Sequence, residues 1–267
     1  MLKHPDLPFD NKASNRYMSD KTLKPWNKLK IFKMRHSTFA VQARLARIGI
    51  VESPLCPLCN KSPETVTHML CGCEHGIYQD IRTMRHNRCA TIVAESIRKQ
   101  FKTTKVDFKM WEDKPIAKEL IEDWERASII IASEDFVQRP KPDIVILLPP
   151  PKRTEENPTY CKGIILIWEL KVASESVCAE RQQKAEEKYA GLARYLELIG
   201  YKTTVVVTVL TARGYILSTT EKELETLGLK RQAIASTIAA LHIQLVNEMV
   251  NISTYRGKEI KAMKPPD

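Results

Sequence analysis

At 267 residues, 43% hydrophobic and 28% charged, the chain carries enough apolar material for a sizeable core, and wholesale disorder is excluded. Its 42 Lys and Arg against 32 Asp and Glu leave a formal charge of +10, a surplus that suits a polyanionic partner. No run of 18 apolar residues occurs and the first residues lack the apolar stretch of a secretory leader, so an intracellular protein with no membrane partner is expected. Only nine glycines are present, and the patterns G-x-G-x-x-G, G-x-x-x-x-G-K, G-x-S-x-G and H-E-x-x-H do not occur. Nucleotide-binding loops, nucleophile elbows and zincin helices are thereby disfavoured.

The charge is uneven. Residues 1–50 hold eleven Lys or Arg against Asp6, Asp10 and Asp20, a net +8, with Tyr17, Trp26 and Phe32 interleaved. Basic side chains displace counterions from a phosphate backbone, and aromatic rings stack on bases. This stretch reads as a basic nucleic-acid-binding arm, with a solubilising tail as the plainer alternative.

Residues 51–76 follow as a separate unit. Of seven cysteines, Cys56, Cys59, Cys71 and Cys73 crowd together around His68. An odd total with four of them within eighteen positions suits a metal better than a disulfide framework. Cys56 and Cys59 flank a turn, and His68 opens a short helix from which Cys73 can converge on the same ion, giving C-x2-C-x8-H-x4-C. Cys71, two residues nearer, points away and is the second choice for the fourth ligand. Four protein ligands fill a zinc tetrahedron, so this zinc knuckle has a structural rather than a catalytic ion.

Residues 77–255 make up the main domain, and 256–267 a basic tail. An amphipathic helix is expected over 77–101 from Ile77, Ile81, Met84, Cys89, Ile92, Val93, Ile97 and Phe101, with Arg82, Arg85, His86, Arg88, Arg98 and Lys99 on its other sides and Glu95 facing solvent. A second helical stretch is expected at 115–126, leading to the apolar run Ile129–Ile131. Two β-branched runs, 143–148 and 163–172, then read as an antiparallel hairpin with an enlarged loop. A helix over 180–199, a strand over 203–210 and a long helix through 229–250 complete an α/β sandwich.

The second hairpin strand carries the chemistry. Period two puts Ile165, Ile167, Glu169 and Lys171 on one face and Leu166, Trp168, Leu170 and Val172 on the other. A strand covered on both sides that abruptly presents a carboxylate and an amine has a desolvation cost that calls for an ion or a reaction. Asp143 opens the neighbouring strand after Pro142, so the hairpin brings two carboxylates towards one divalent cation with Lys171 beside them. Hydrolysis of a phosphodiester needs this set. On the next helix Tyr189 lies in the apolar stripe, while Lys184 and Lys188 border it and could overhang Glu169. The plainer reading is a Glu169–Lys171 pair, a turn-capping Asp143 and lysines extended into water.

Pro142-Asp143 followed by Glu169-x-Lys171 resembles the PD-(D/E)xK nuclease motif. With the upstream CCHC knuckle, Arg44–Gly49, Tyr78, Arg85-His86-Asn87 and Lys184, Lys188 and Tyr189, the ordered set is similar to the C-terminal region of site-specific non-LTR retrotransposon proteins. The resemblance implies a restriction-endonuclease-like mixed sheet flanked by helices, preceded by the knuckle and the arm. It also implies an endonuclease that nicks target DNA so that a reverse transcriptase can prime on the exposed end. Asp143 and Glu169 would hold magnesium or manganese, and Lys171, Lys184 or Lys188 would supply the catalytic amine with Tyr189 assisting. DNA is the implied partner, with RNA as the alternative substrate, and nuclear residence follows. Double-strand cleavage would require a dimer or sequential binding. The reverse transcriptase region of a retroelement is a further partner if the chain is one part of such an element, since a paired-aspartate polymerase motif is absent here. A zinc-containing nucleic-acid-binding module on a nuclease scaffold is the competing reading.

Overall fold

The computed structural model describes residues 8–122, 127, 140–151 and 161–263. It is a mixed α/β structure with helices α1 (Asn11–Ser14), α2 (Pro25–Arg35), α3 (Gln42–Arg47) and α4 (Gly76–Thr104), strands β1 (Lys109–Glu112), β2 (Ile144–Leu148) and β3 (Ile164–Ala173), helix α5 (Cys178–Leu198), strand β4 (Lys202–Thr211) and helices α6 (Thr220–Thr226) and α7 (Arg231–Ala262). The four strands form one sheet in the order β1-β2-β3-β4. β1 and β2 pair antiparallel, as do β2 and β3, whereas β3 and β4 run parallel from Ile164 opposite Lys202 to Ala173 opposite Thr211. Parallel neighbours need a crossover, and α5 supplies it.

β3 is covered on both faces, which explains its unbroken apolar run. Ile165 and Ile167 pack with Tyr189, Leu192 and Leu196 of α5. Leu166, Trp168 and Leu170 pack on the other side with Val93 and Ile97 of α4 and Leu241 and Leu245 of α7. The one polar group on Trp168 is satisfied, its indole Nε1 donating to Thr208 Oγ1 at 2.9 Å. Without that partner the buried N–H would cost about 1–3 kcal/mol.

The hairpin is as expected, and the first long helix extends to Thr104. Residues 115–122 instead form turns held by backbone bonds such as Ile116 N to Pro140 O at 3.0 Å. Pro115 and the pairing of this stretch back onto the residues before β2 take it out of the helical register. Residues 123–126 and the run Ile129–Ile131 lie outside the described residues. β1, a four-residue edge strand, has too short a pattern to be read from sequence.

Residues 8–50 are folded onto the body rather than extended from it. Tyr17, Ile31, Met34 and Val41 share a buried cluster with Cys56, Met69, Leu70 and Cys73 of the knuckle and with Val246, Met249 and Ile252 of α7. Arg35 is buried as well, donating to Ser14 O, Arg213 O and Gly214 O and lying over the rings of Tyr17 and Tyr215 at 4.7 and 4.4 Å. One of the eight cations between Asp20 and Glu52 is therefore structural. At the C-terminus, α7 continues as helix through the first residues of the expected tail. Arg256 makes a two-pronged ion pair with Glu64 at 2.6 and 2.8 Å, tying α7 to the knuckle. By length and composition α7 could cross a membrane, but more than half of its most apolar stretch is buried inside the fold.

Candidate active site and metal centre

The knuckle gathers four ligands at one point. Cys56 Sγ, Cys59 Sγ, a His68 ring nitrogen and Cys73 Sγ lie within 4.8 Å of one another. Cys56 and Cys73 sulfurs are 3.8 Å apart, and Cys59 Sγ is 3.4 Å from His68 Nε2. Bonds of about 2.3 Å to sulfur and 2.0 Å to nitrogen give tetrahedral edges of roughly 3.8 and 3.5 Å, so the donor set fits zinc. A wide helical turn, His68–Gly72, carries the chain from His68 round to Cys73, which caps it. Burial, reinforced by Cys56, pushes the Cys73 thiol up to about 12, so this thiol ionises readily only against a cation. Cys71 lies outside the cluster, half-buried near Arg85 and Glu175.

The second site lies where β2 begins and β3 passes its midpoint. Ile144 pairs with Trp168, so Asp143, one residue earlier, stands opposite Glu169 on the neighbouring strand. Asp143 Oδ2 accepts the backbone N–H of Leu170 at 2.7 Å, which locks its carboxylate against β3. Glu169 is 4% exposed, and both its oxygens are engaged. Oε1 takes Lys171 Nζ at 2.6 Å and faces Lys188 Nζ at 3.5 Å, while Oε2 accepts the Tyr189 hydroxyl at 2.7 Å. Lys188 also reaches the Tyr189 oxygen at 2.9 Å. Burial first, and then the charge of Glu169, raise Tyr189 well above the ordinary phenol range, so it remains a donor.

Five of the expected residues thus meet at one place: Asp143, Glu169, Lys171, Lys188 and Tyr189. Lys184 does not join them. It is exposed and pairs with Glu180, one turn back on α5, at 2.7 Å. A turn of helix separates Lys184 from Lys188, and only the latter projects over Glu169. Glu95 is exposed on α4, as expected.

His86 and Arg85 both lie deeper than the sequence suggests. The His86 side chain is half-buried rather than on the solvent side of α4, with Nε2 3.4 Å from Asp143 Oδ2 and 3.1 Å from Leu170 O. The hydrogen bond to the Asp143 carboxylate lifts His86 to about 8 against the opposing effect of burial. Arg85, expected on the same polar side, is fully buried, so that edge of the helix faces inward.

Hard carboxylate oxygens on adjacent strands, one of them buried beneath two ammonium groups, can hold a small divalent cation and still present amines to an anionic substrate. No family model matches this sequence, and no curated protein is significantly similar to it.

Proposed function

We propose that this protein is a metal-dependent DNA endonuclease of the restriction-like, PD-(D/E)xK kind, nicking its target by phosphodiester hydrolysis. The observation that carries the reading is the placement of Asp143 opposite Glu169 with Lys171 Nζ 2.6 Å from the Glu169 carboxylate. The mixed sheet flanked by helices, with both acids on its central hairpin, supports the restriction-like assignment.

Asp143 and Glu169 would hold magnesium or manganese, which when bound acidifies water and neutralises charge on the phosphate. The remaining work belongs to the chain. Lys171 orients the attacking water and stabilises developing negative charge through its free N–H bonds. Lys188 adds a second ammonium at the same carboxylate oxygen. Tyr189 holds Glu169 in one rotamer from below, and the Leu170 N–H does the same for Asp143. Lys184 has no part in this set.

Zinc at Cys56, Cys59, His68 and Cys73 is structural in this reading, and the basic face of residues 21–51, which contain no acidic residue, supplies the grip on DNA. A nick made this way leaves an end on which the reverse transcriptase of a retroelement can prime, and nuclear residence follows from the substrate. Incubation with supercoiled plasmid and magnesium should yield open circles. Tight, salt-sensitive binding without any nicking would favour a binding module on the same scaffold.

A further inference from the structure

A cleft of about 300 Å³ separates the knuckle from the end of β3 and the start of α5. Its knuckle wall includes Thr67, His68 and Gly72, and its opposite wall includes Lys171, Ser174 and Arg181. No carboxylate lines it. The cleft thus carries two cations and two hydroxyls with no acid in its lining; Lys171 is held by Glu169 outside it. Among the described residues Arg181 makes no ion pair, although Glu180 beside it is taken by Lys184.

Lys171 belongs to both places, bonded to Glu169 on one side and lining the cleft on the other. The cleft therefore shares Lys171 with the carboxylate site. Its knuckle wall is rigidly mounted: Arg213 donates to Thr67 Oγ1 at 3.2 Å, and Glu64 at the base of the knuckle is clamped by Arg256.

We propose that this cleft is a subsite for a backbone phosphate of the cleaved strand, adjacent to the scissile one, with Arg181 as its principal ligand and Lys171 bridging the two phosphates. The knuckle is then a wall of the substrate channel rather than a detached DNA-binding module. A guanidinium matches the two oxygens of a phosphate, and hydroxyls of Thr67 and Ser174 suit the remaining lone pairs. This inference rests on the nuclease reading for its substrate but makes a separate demand on binding.

The test uses full-length protein carrying Asp143→Ala, so that binding is read without cutting. Fluorescence anisotropy with a labelled duplex is measured across a salt series in magnesium, with and without Arg181→Glu or Arg181→Lys. Losing one phosphate contact should weaken binding about tenfold at moderate salt and reduce the salt slope by roughly 0.9. Arg181→Lys, which keeps the charge but not the two-pronged geometry, should restore the salt slope and only part of the affinity, and thermal midpoints should match the parent. If Arg181→Glu binds as its parent does, with an unchanged slope, the subsite is wrong while the nuclease reading stands. If Arg181→Glu weakens binding but the wild-type protein never nicks, the subsite stands and the chemistry falls. A parent that binds no duplex overturns both.

Discussion

Tyr189 of α5 donates its hydroxyl hydrogen to Glu169 Oε2 on β3 at 2.7 Å. The pair joins the crossover helix to the strand it covers and aims the buried carboxylate at Lys171. Tyr189→Phe removes the donor while keeping the ring. A hydrogen bond to a buried charge is worth about 2 kcal/mol, so urea denaturation should show a loss of that order. If Glu169 holds the metal, the nicking rate should fall by roughly tenfold for each 1.4 kcal/mol of misplacement. Lys184→Ala should leave both stability and nicking near wild type, because its exposed partner is Glu180.

The Glu64–Arg256 pair joins residues 192 apart in sequence, with Glu64 fully buried. Arg256→Ala strands a carboxylate that otherwise has only the Gln42 N–H at 2.7 Å. The expected loss is about 3–5 kcal/mol. Removing both charges, Glu64→Gln with Arg256→Ala, should cost less than the sum of the single changes. Strict additivity in that cycle would mean that the two groups are not coupled.

Removal of metal should separate the two adjacent cysteines. Purified protein is expected to hold one zinc, retained in Cys71→Ser and lost in Cys73→Ser, measured by elemental analysis. Because the knuckle shares its core with α2 and α7, chelation should lower the thermal midpoint of the whole chain. Loss of zinc from Cys71→Ser with retention in Cys73→Ser would reverse the assignment.

His242 governs the acid limb. Its Nδ1–H donates to Gly214 O at 2.8 Å and its Nε2 accepts the Tyr17 N–H at 3.1 Å, an arrangement only the neutral ring can make. Gly214 is required there: its φ is +73°, and a Cβ would meet Val246 at 2.9 Å. Burial, then the charge of Arg35, depress His242 to about 4 from 6.5. The unfolded chain binds the proton first as pH falls, so this contribution is complete above about 6.5 and is lost on descending towards 4. Its size is about 3 kcal/mol. A pH series of denaturant midpoints should show that slope, flattened in His242→Gln.

What could be read in the sequence was local. Cys56, Cys59, His68 and Cys73 converge within one short loop, and the alternation along 164–173 puts Glu169 and Lys171 on one face of a strand whose partner brings Asp143. These depend on neighbours a few residues away or on a single hairpin. The rest depended on distant partners. Nothing near Arg35 shows that its guanidinium is held by the carbonyls of Arg213 and Gly214, and nothing near Arg256 shows Glu64. Residues 1–50 read as an arm because their charges outnumber their core side chains, yet Tyr17, Ile31 and Met34 suffice to seat residues 8–50 against α7. His86 was placed on the polar side because a helical wheel cannot show that the end of β3 comes to meet it. Lys184 and Lys188 flank the same stripe, and only the depth of Tyr189 beneath Glu169 separates them.

The most direct measurement of the central claim is conversion of supercoiled plasmid to open circles in magnesium by wild-type protein beside Asp143→Ala, with circular dichroism to confirm that both are folded. Magnesium-dependent nicking by wild type, at least about a hundredfold slower in the variant, is the expected result. Equal nicking by the two folded proteins would contradict it, since the carboxylate opposite Glu169 would then have no part in the chemistry.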